Sequence, residues 1–263
     1  MRKIVIFMFL SIYLMGFSYS AKIENLIGKE KFQSYNKLLS KIFVDKNYSI
    51  KEIVSKLKDN GLLELFFDKA KIVHTNFIFI NGNQVFNIKF LNDSLKSLGY
   101  YYFYISEIDR KGNRLKLDIE FKSEHFINPV SFIKEIESRG CNILDIFREK
   151  DVFNYKISCK NGFIKESNKL LAENKRYIKA KGSVYWIDTN NFKFIEIRTK
   201  KIDFWHPFIF FYDKHLNLLN NFKLNKKTTF LKLKIPINCK YIKITDIYSG
   251  ENFKRGIIIK GLK

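Results

Sequence analysis

Three cysteines, Cys141, Cys159 and Cys239, are the side chains here whose type and spacing most directly imply chemistry. Strands expected over 142–148 and 152–158 form a hairpin with Glu149-Lys150-Asp151 as its turn. With that turn centred on Lys150, the numbers of opposed residues sum to 300, and 141 with 159 meets that sum. The two sulfurs then face each other across the strand ends, within disulfide reach. A one-residue change of loop register would move both side chains, so the pairing depends on the turn. Cys239 is expected as a small buried hydrophobe. None of the three has a C-x-x-C or metal-ligand spacing, which leaves redox and zinc chemistry without a signature.

Catalytic motifs are equally absent. The four histidines, His74, His125, His206 and His215, never share an i, i+4 spacing. There is no G-x-S-x-G, H-E-x-x-H, S-x-x-K or glycine-rich phosphate loop. The reading is non-enzymatic, with no catalytic residue, cofactor or metal ligand named. A site assembled only in three dimensions would leave no trace in the linear pattern.

Binding has two candidates. Trp205-His206-Pro207 precedes an expected strand, Trp186 ends an earlier one, and Arg198, Lys200 and Lys201 lie nearby in sequence. Aromatics at the mouth of a sandwich stack on sugar rings while basic side chains hold an acidic group. The competing role for a tryptophan in that place is to plug the core. The second candidate is Tyr100-Tyr101-Tyr102-Phe103-Tyr104. Alternation puts Tyr100, Tyr102 and Tyr104 on one face, and a strand aromatic on both faces is either covered or presented to a partner.

The elements that must position these residues read as α+β. An amphipathic helix is expected within 21–48, with Tyr35, Leu38, Leu39, Ile42 and Phe43 at helical spacing. Ser49-Ile50-Lys51-Glu52 is a capping box that opens the next helix. Residues 49–160 then repeat helix, glycine, strand, turn, strand three times, giving αββ units on an antiparallel sheet. Gly61, Gly99 and Gly140 end the helices at intervals of 38 and 41 residues. The first unit is expected to carry short strands at 63–67 and 76–80. Residues 161–175 read as a linker with a short helix over 163–172. Residues 176–263 read as an all-β sandwich.

The chain opens with a secretory pattern over residues 1–20. Met1-Arg2-Lys3 is a positive start, 4–17 is apolar, and Ser18-Tyr19-Ser20-Ala21 places the cleavage between Ser20 and Ala21. The apolar run is short of the roughly 20 residues a membrane span needs, and no cysteine follows it to take a lipid. Loss of Arg2 and Lys3 leaves 46 basic against 26 acidic residues, a net charge near +20. An A/T-rich coding bias explains the lysines in part, but it would enrich Asp and Glu as well. An anionic envelope component explains the imbalance functionally, and export disfavours nucleic acid.

The stretches Asn60-Gly61-Leu62-Leu63, Leu98-Gly99-Tyr100-Tyr101-Tyr102-Phe103, Arg139-Gly140-Cys141-Asn142 and Trp205-His206-Pro207-Phe208 resemble a group of exported proteins of Campylobacter-type bacteria. The resemblance implies a Gram-negative periplasm, where scaffolds around the flagellar motor are one setting, and it transfers no site residues. The expectation is a periplasmic binding or scaffold protein that docks an envelope protein. The alternative is a basic binder of cell wall or acidic glycan, and an envelope-modifying enzyme ranks third.

Overall fold

The computed structural model describes residues 19–45, 47–171, 176–179, 184–189 and 192–263. Of the leader, residues 1–18 lie outside the described residues, and Ser20 and Ala21 fall in a helix. The chain forms two compact units, Met1–Gly162 and Phe163–Lys263. Its content is mixed α/β, dominated by strands, with three sheets among the described residues.

Three short helices replace the single expected one: α1 (19–27), α2 (Lys29–Ser34) and α3 (Asn36–Ile42). Gly28 sits at φ 86, a left-handed value that breaks the helix before Lys29. The break changes which residues face inward. Leu39 and Phe43 are buried, whereas Tyr35 and Leu38 from the expected stripe are exposed. The capping box forms, with Ser49 Oγ accepting from the Glu52 N–H and Glu52 accepting from the Ser49 N–H, and it starts α4 (Ile50–Asp59).

The remaining elements of the first unit are β1 (Phe66–Phe79), α5 (Gln84–Ser97), β2 (Tyr104–Lys111), β3 (Arg114–His125), α6 (Pro129–Glu137), β4 (Asn142–Glu149) and β5 (Val152–Ser158). Gly61, Gly99 and Gly140 have φ of 67, 92 and 76, so each supplies the left-handed residue by which the chain leaves its helix. The two short strands expected after α4 are one 14-residue strand, β1. Its polar stretch Asp68-Lys69-Ala70-Lys71 is exposed strand rather than a turn.

The sheet order is β2-β3-β1-β5-β4. It is mixed, not antiparallel throughout, because β1 and β5 run parallel. The cause is α6. β3 ends beside the start of β1, and α6 carries the chain back to the other end before β4 begins. The β4–β5 hairpin therefore enters with β5 parallel to β1. Val73, Phe77 and Phe79 of β1, Leu115, Leu117 and Ile119 of β3, and Tyr155 and Ile157 of β5 are buried. Phe77 packs on Phe132 of α6 at 5.1 Å and Phe79 on Phe90 of α5 at 6.2 Å, which seals helices to one face. Each such side chain taken from water stabilises the unit by about 1.5–3 kcal/mol.

Cys141 and Cys159 form a disulfide. The route to it differs from the expected one. The hairpin loop has two residues, with Glu149 opposite Val152 and Lys150 at φ 55, so opposed numbers sum to 301 as far as Asp145 and Lys156. Leu144 is an extra, bulged residue that lowers the sum to 300 at Ile143–Ile157 and Asn142–Ser158. The bulge brings the two cysteines face to face.

The second unit contains β6 (Asn168–Lys169), β7 (Arg176–Ile178), β8 (Tyr185–Asp188), β9 (Phe194–Arg198), β10 (Pro207–Tyr212), β11 (Leu218–Lys223), β12 (Phe230–Lys234), β13 (Tyr241–Asp246) and β14 (Ile257–Leu262). One sheet runs β11-β10-β13-β8-β6 and the other β12-β9-β14-β7. Ile187, Ile209, Phe211, Ile242 and Ile244 of the first share one buried cluster with Ile195, Ile197, Ile257 and Ile259 of the second. No helix occurs among the described residues of 163–171. Ile164 and Leu170, six apart and off any helical stripe, are both buried, and the Leu170 N–H donates to Asp188 O.

Candidate functional site

One end of the second unit gathers several of the residues singled out in the sequence. β9 ends at Arg198, directly opposite Phe230 at the start of β12, and the guanidinium lies 4.1 Å from the centre of that ring. The next loop is held by Asp203, which is fully buried. Asp203 Oδ2 accepts from the Lys200 N–H at 2.9 Å and Oδ1 from Arg255 Nη1 at 2.9 Å. Two residues on, Trp205 is fully buried, donates Nε1–H to Thr245 O at 3.0 Å, and stacks on Phe253 at 5.8 Å. Anchored on both sides, the loop leaves Ile202 and Phe204 more than 60% exposed. Lys227 Nζ, from the facing loop, sits 3.9 Å above Phe204.

Asp246 holds the neighbouring turn. Its carboxylate accepts from the N–H groups of His206, Tyr248 and Ser249 at 2.6, 2.8 and 2.9 Å, and from the Asn252 amide at 2.9 Å. Burial alone would raise this carboxyl, but those donors outweigh it and hold it below the ordinary aspartate value. His206 is half-buried, with its ring edge-on to the exposed Tyr248 at 5.0 Å. Nδ1 lies 4.0 Å from Asp246, beyond a hydrogen bond.

The structure therefore divides the expected binding surface. Arg198, Lys200 and His206 meet at this end. Trp205 is corrected to the core, where its indole N–H finds a carbonyl and its ring fills space between the sheets. Trp186 stands elsewhere, opposite Lys243, which is three residues down β13 from Asp246. There it extends a half-buried strip, with Tyr212 at 5.7 Å from Trp186, Phe210 at 6.3 Å from Tyr212, and Phe208 at 4.1 Å from Phe210. Lys223 and Lys243 flank the strip over Phe208 and Phe210. The exposed Ile202, Phe204 and Phe230 were missed. For Ile202 and Phe204 the signal is apolar residues interleaved with charged ones in a turn, Lys200-Lys201-Ile202-Asp203-Phe204.

In the first unit the tyrosine run is only partly a strand, because β2 begins at Tyr104. Tyr100 packs on Phe121 at 5.1 Å with its hydroxyl 3.3 Å from His125 Nδ1, and burial pushes its pKa up to about 12. That anchor turns the chain so that Tyr101 and Tyr102 project, Tyr102 being 93% exposed. Tyr104 is also exposed and donates its hydroxyl to Glu120. An apolar groove of about 410 Å³ lies between α5 and β2, on the opposite face of the sheet from the Tyr104–Glu120 pair. Val85 and Ile88 form one wall, Phe103 and Ile105 the other, and Leu117 and Ile119 the floor. Asn83 caps α5 by accepting from the Val85 and Phe86 N–H groups, which fixes Val85 at the groove mouth.

β2 is an edge of the sheet, paired among the described residues with β3 alone. A bulge between Ile105 and Glu107 interrupts that pairing. The opposite edge, β4, is covered. The Asn25 amide of α1 donates to Arg148 O at 2.9 Å and accepts from the Arg148 N–H at 2.8 Å, imitating a neighbouring strand. Lys22 adds an ion pair to Asp145 at 2.6 Å.

On the sheet's other face His74 lies 3.5 Å from Asp118 and 3.6 Å from Glu120. Among the described residues, no three His, Cys, Asp or Glu side chains gather in a way that would hold a metal ion. Cys239 is buried, and burial raises its thiol pKa to about 12, which keeps it unreactive.

No family model and no curated protein matches the chain. Likenesses to solved structures are faint. The C-terminal domain of EclA, a sugar-binding protein, shares 16% identity over 38% of this chain and 73% of its own length, at a TM-score of 0.18. The secreted serine protease VesC from Vibrio cholerae shares 8% identity over 73% of this chain and 44% of its own, at a TM-score of 0.22. Scores this low establish no shared fold, so function has to be argued from the geometry above.

Proposed function

We propose that the protein is an exported, non-catalytic docking protein whose first unit receives an envelope protein at the β2 edge. In this reading the first unit is a set of αββ repeats whose first copy has fused strands, and the second unit is a β-sandwich. The observation that carries the proposal is the pairing of an edge with no outer partner among the described residues and an apolar groove lined from β2 by Ile105 and from the approach to it by Phe103. An edge left bare is an association hazard unless it is used. The bulge at Ser106 disfavours a long added strand, so the contact is short: backbone bonds at the outward-facing residue at the start of β2, with an apolar side chain of the partner in the groove. The leader pattern and a disulfide, which persists in oxidising compartments, support an exported and periplasmic location.

The test uses full mature protein and the partner recovered by crosslinking in cells. Tyr102→Ser with Val85→Glu, both at exposed positions, is expected to weaken binding by about tenfold or more while leaving the melting temperature in place. Binding unchanged in that double variant would sink the proposal. A second reading, acidic-glycan binding, draws on the Trp186–Phe208 strip and its lysines. It requires salt-sensitive sedimentation with peptidoglycan that Trp186→Ala reduces.

A further inference from the structure

We propose that the loop end of the second unit is a membrane-surface anchor that inserts Ile202 and Phe204 into an anionic lipid bilayer. Three observations combine. First, the tip is apolar and projecting: Ile202 is 62% and Phe204 61% exposed, on a loop fixed from inside by buried Asp203 and Trp205. A rigid loop that holds large apolar side chains out in water gains by burying them elsewhere. Second, the tip is ringed by exposed cations. Arg198, Lys200 and Lys201 lie on its own side, and Lys226 and Lys227 on the facing loop. The Thr199 N–H donates to Thr229 O and the Thr228 N–H to Trp205 O, so the two loops form one rim.

Third, the acids near the tip each have partners of their own. Asp203 is paired with Arg255, Asp246 is buried among N–H donors, and Glu251 accepts from Lys254. The exposed charged side chains of the rim are therefore predominantly cationic. Lysines around an apolar tip snorkel to phosphate head groups while the tip enters the interface.

The same details set this surface apart from a sugar site or a protein-docking site. Sugar stacking needs an open aromatic face, and here Lys227 lies over one face of Phe204 and Arg198 over one face of Phe230. Ile202 has no ring to offer. A protein groove is concave, whereas this loop protrudes. No helix among the described residues is long and apolar enough to cross a bilayer. Placing the basic rim on anionic lipid also gives part of the mature chain's net charge near +20 a specific use.

The experiment is flotation of the full mature chain with vesicles of phosphatidylcholine alone, or with about one third phosphatidylglycerol. Binding is expected only with phosphatidylglycerol, falling steeply as salt rises. Lys200→Glu with Lys201→Glu is expected to weaken it by about tenfold or more, as is Lys226→Glu with Lys227→Glu. Ile202→Asp is expected to weaken it by about fivefold or more without moving the melting temperature. Ile202→Trp is expected to shift its emission to the blue on binding. No binding to phosphatidylglycerol vesicles at low salt overturns the proposal. Binding that ignores Ile202→Asp also overturns it, because the contact is then electrostatic adsorption alone. Tighter binding to a soluble acidic polysaccharide than to vesicles overturns it in favour of a glycan. Partner capture at Tyr102 is independent of all these outcomes, so the docking and membrane proposals fail separately.

Discussion

The two edges of the first sheet are treated in opposite ways. β4 is closed by three devices: the Asn25 amide that imitates a strand, the Lys22–Asp145 ion pair, and the disulfide beside its first residue. β2 has a bulge at Ser106 and charged residues beyond it, but its start follows the exposed Tyr101 and Tyr102 and borders an apolar groove through Ile105. A protein that closes one edge so thoroughly has the means to close the other. The difference shows where an edge strand is a liability and where it serves as a surface.

The contrast can be broken most severely at the bulge. Deleting Leu144 removes the extra residue that brings Cys141 opposite Cys159. Thiol titration of the unfolded variant is expected to find three thiols in place of one, with a stability loss above about 3 kcal/mol from the lost bridge and the misfaced strand. Replacing both cysteines with serine keeps the register. That variant is expected to lose about 3 kcal/mol in urea unfolding, as for a loop of this length. Asn25→Ala uncovers β4 at Arg148, with an expected cost of about 1–2 kcal/mol. It should also bring concentration-dependent self-association by light scattering, because the sheet then has two open edges.

On the open side, alkaline pH offers a finer probe. The Tyr100 phenol has its folded pKa raised to about 12 from 10.0 by burial, so its neutral form is favoured in the folded state. The stability this gives is fully present below pH 10 and is lost as the pH rises through about 12. Tyr100→Phe is expected to reduce the fall in melting temperature between those limits. An equal fall in both proteins would show that Tyr100 does not anchor the approach to β2, leaving the alkaline sensitivity to fully buried tyrosines such as Tyr155.

Much of this frame is legible in the residues, and the exceptions have physical causes. The cap at Ser49 and the left-handed glycines after α4, α5 and α6 are local chemistry, so spacing alone reveals them. The cysteine pair emerges from a sum that holds only because a shorter turn and a bulge compensate, and bulges leave no mark in alternation. The length of β1 is hidden because Asp68 to Lys71 are mostly polar and exposed, in the irregular stretch of pairing that ends at Phe66 opposite His125. Parallel pairing of β1 with β5 depends on where α6 returns the chain, a tertiary choice. Around Trp205, basic residues and a histidine predict the right end of the second unit, but the tryptophan is its anchor. The exposed rings are Phe204 and Phe230, whose cation partners come from loops and strands distant in sequence.

The central claim, that β2 and not β4 is the docking edge, is tested most directly by a photo-crosslinking residue placed at Tyr102 or at Leu144 in the exporting cell. Both side chains are exposed, so each would report whatever lies against its own edge. The expected result is one discrete protein adduct at Tyr102, abolished by Val85→Glu, and none at Leu144. Equal adducts at both positions, or an adduct at Leu144 alone, would contradict the account.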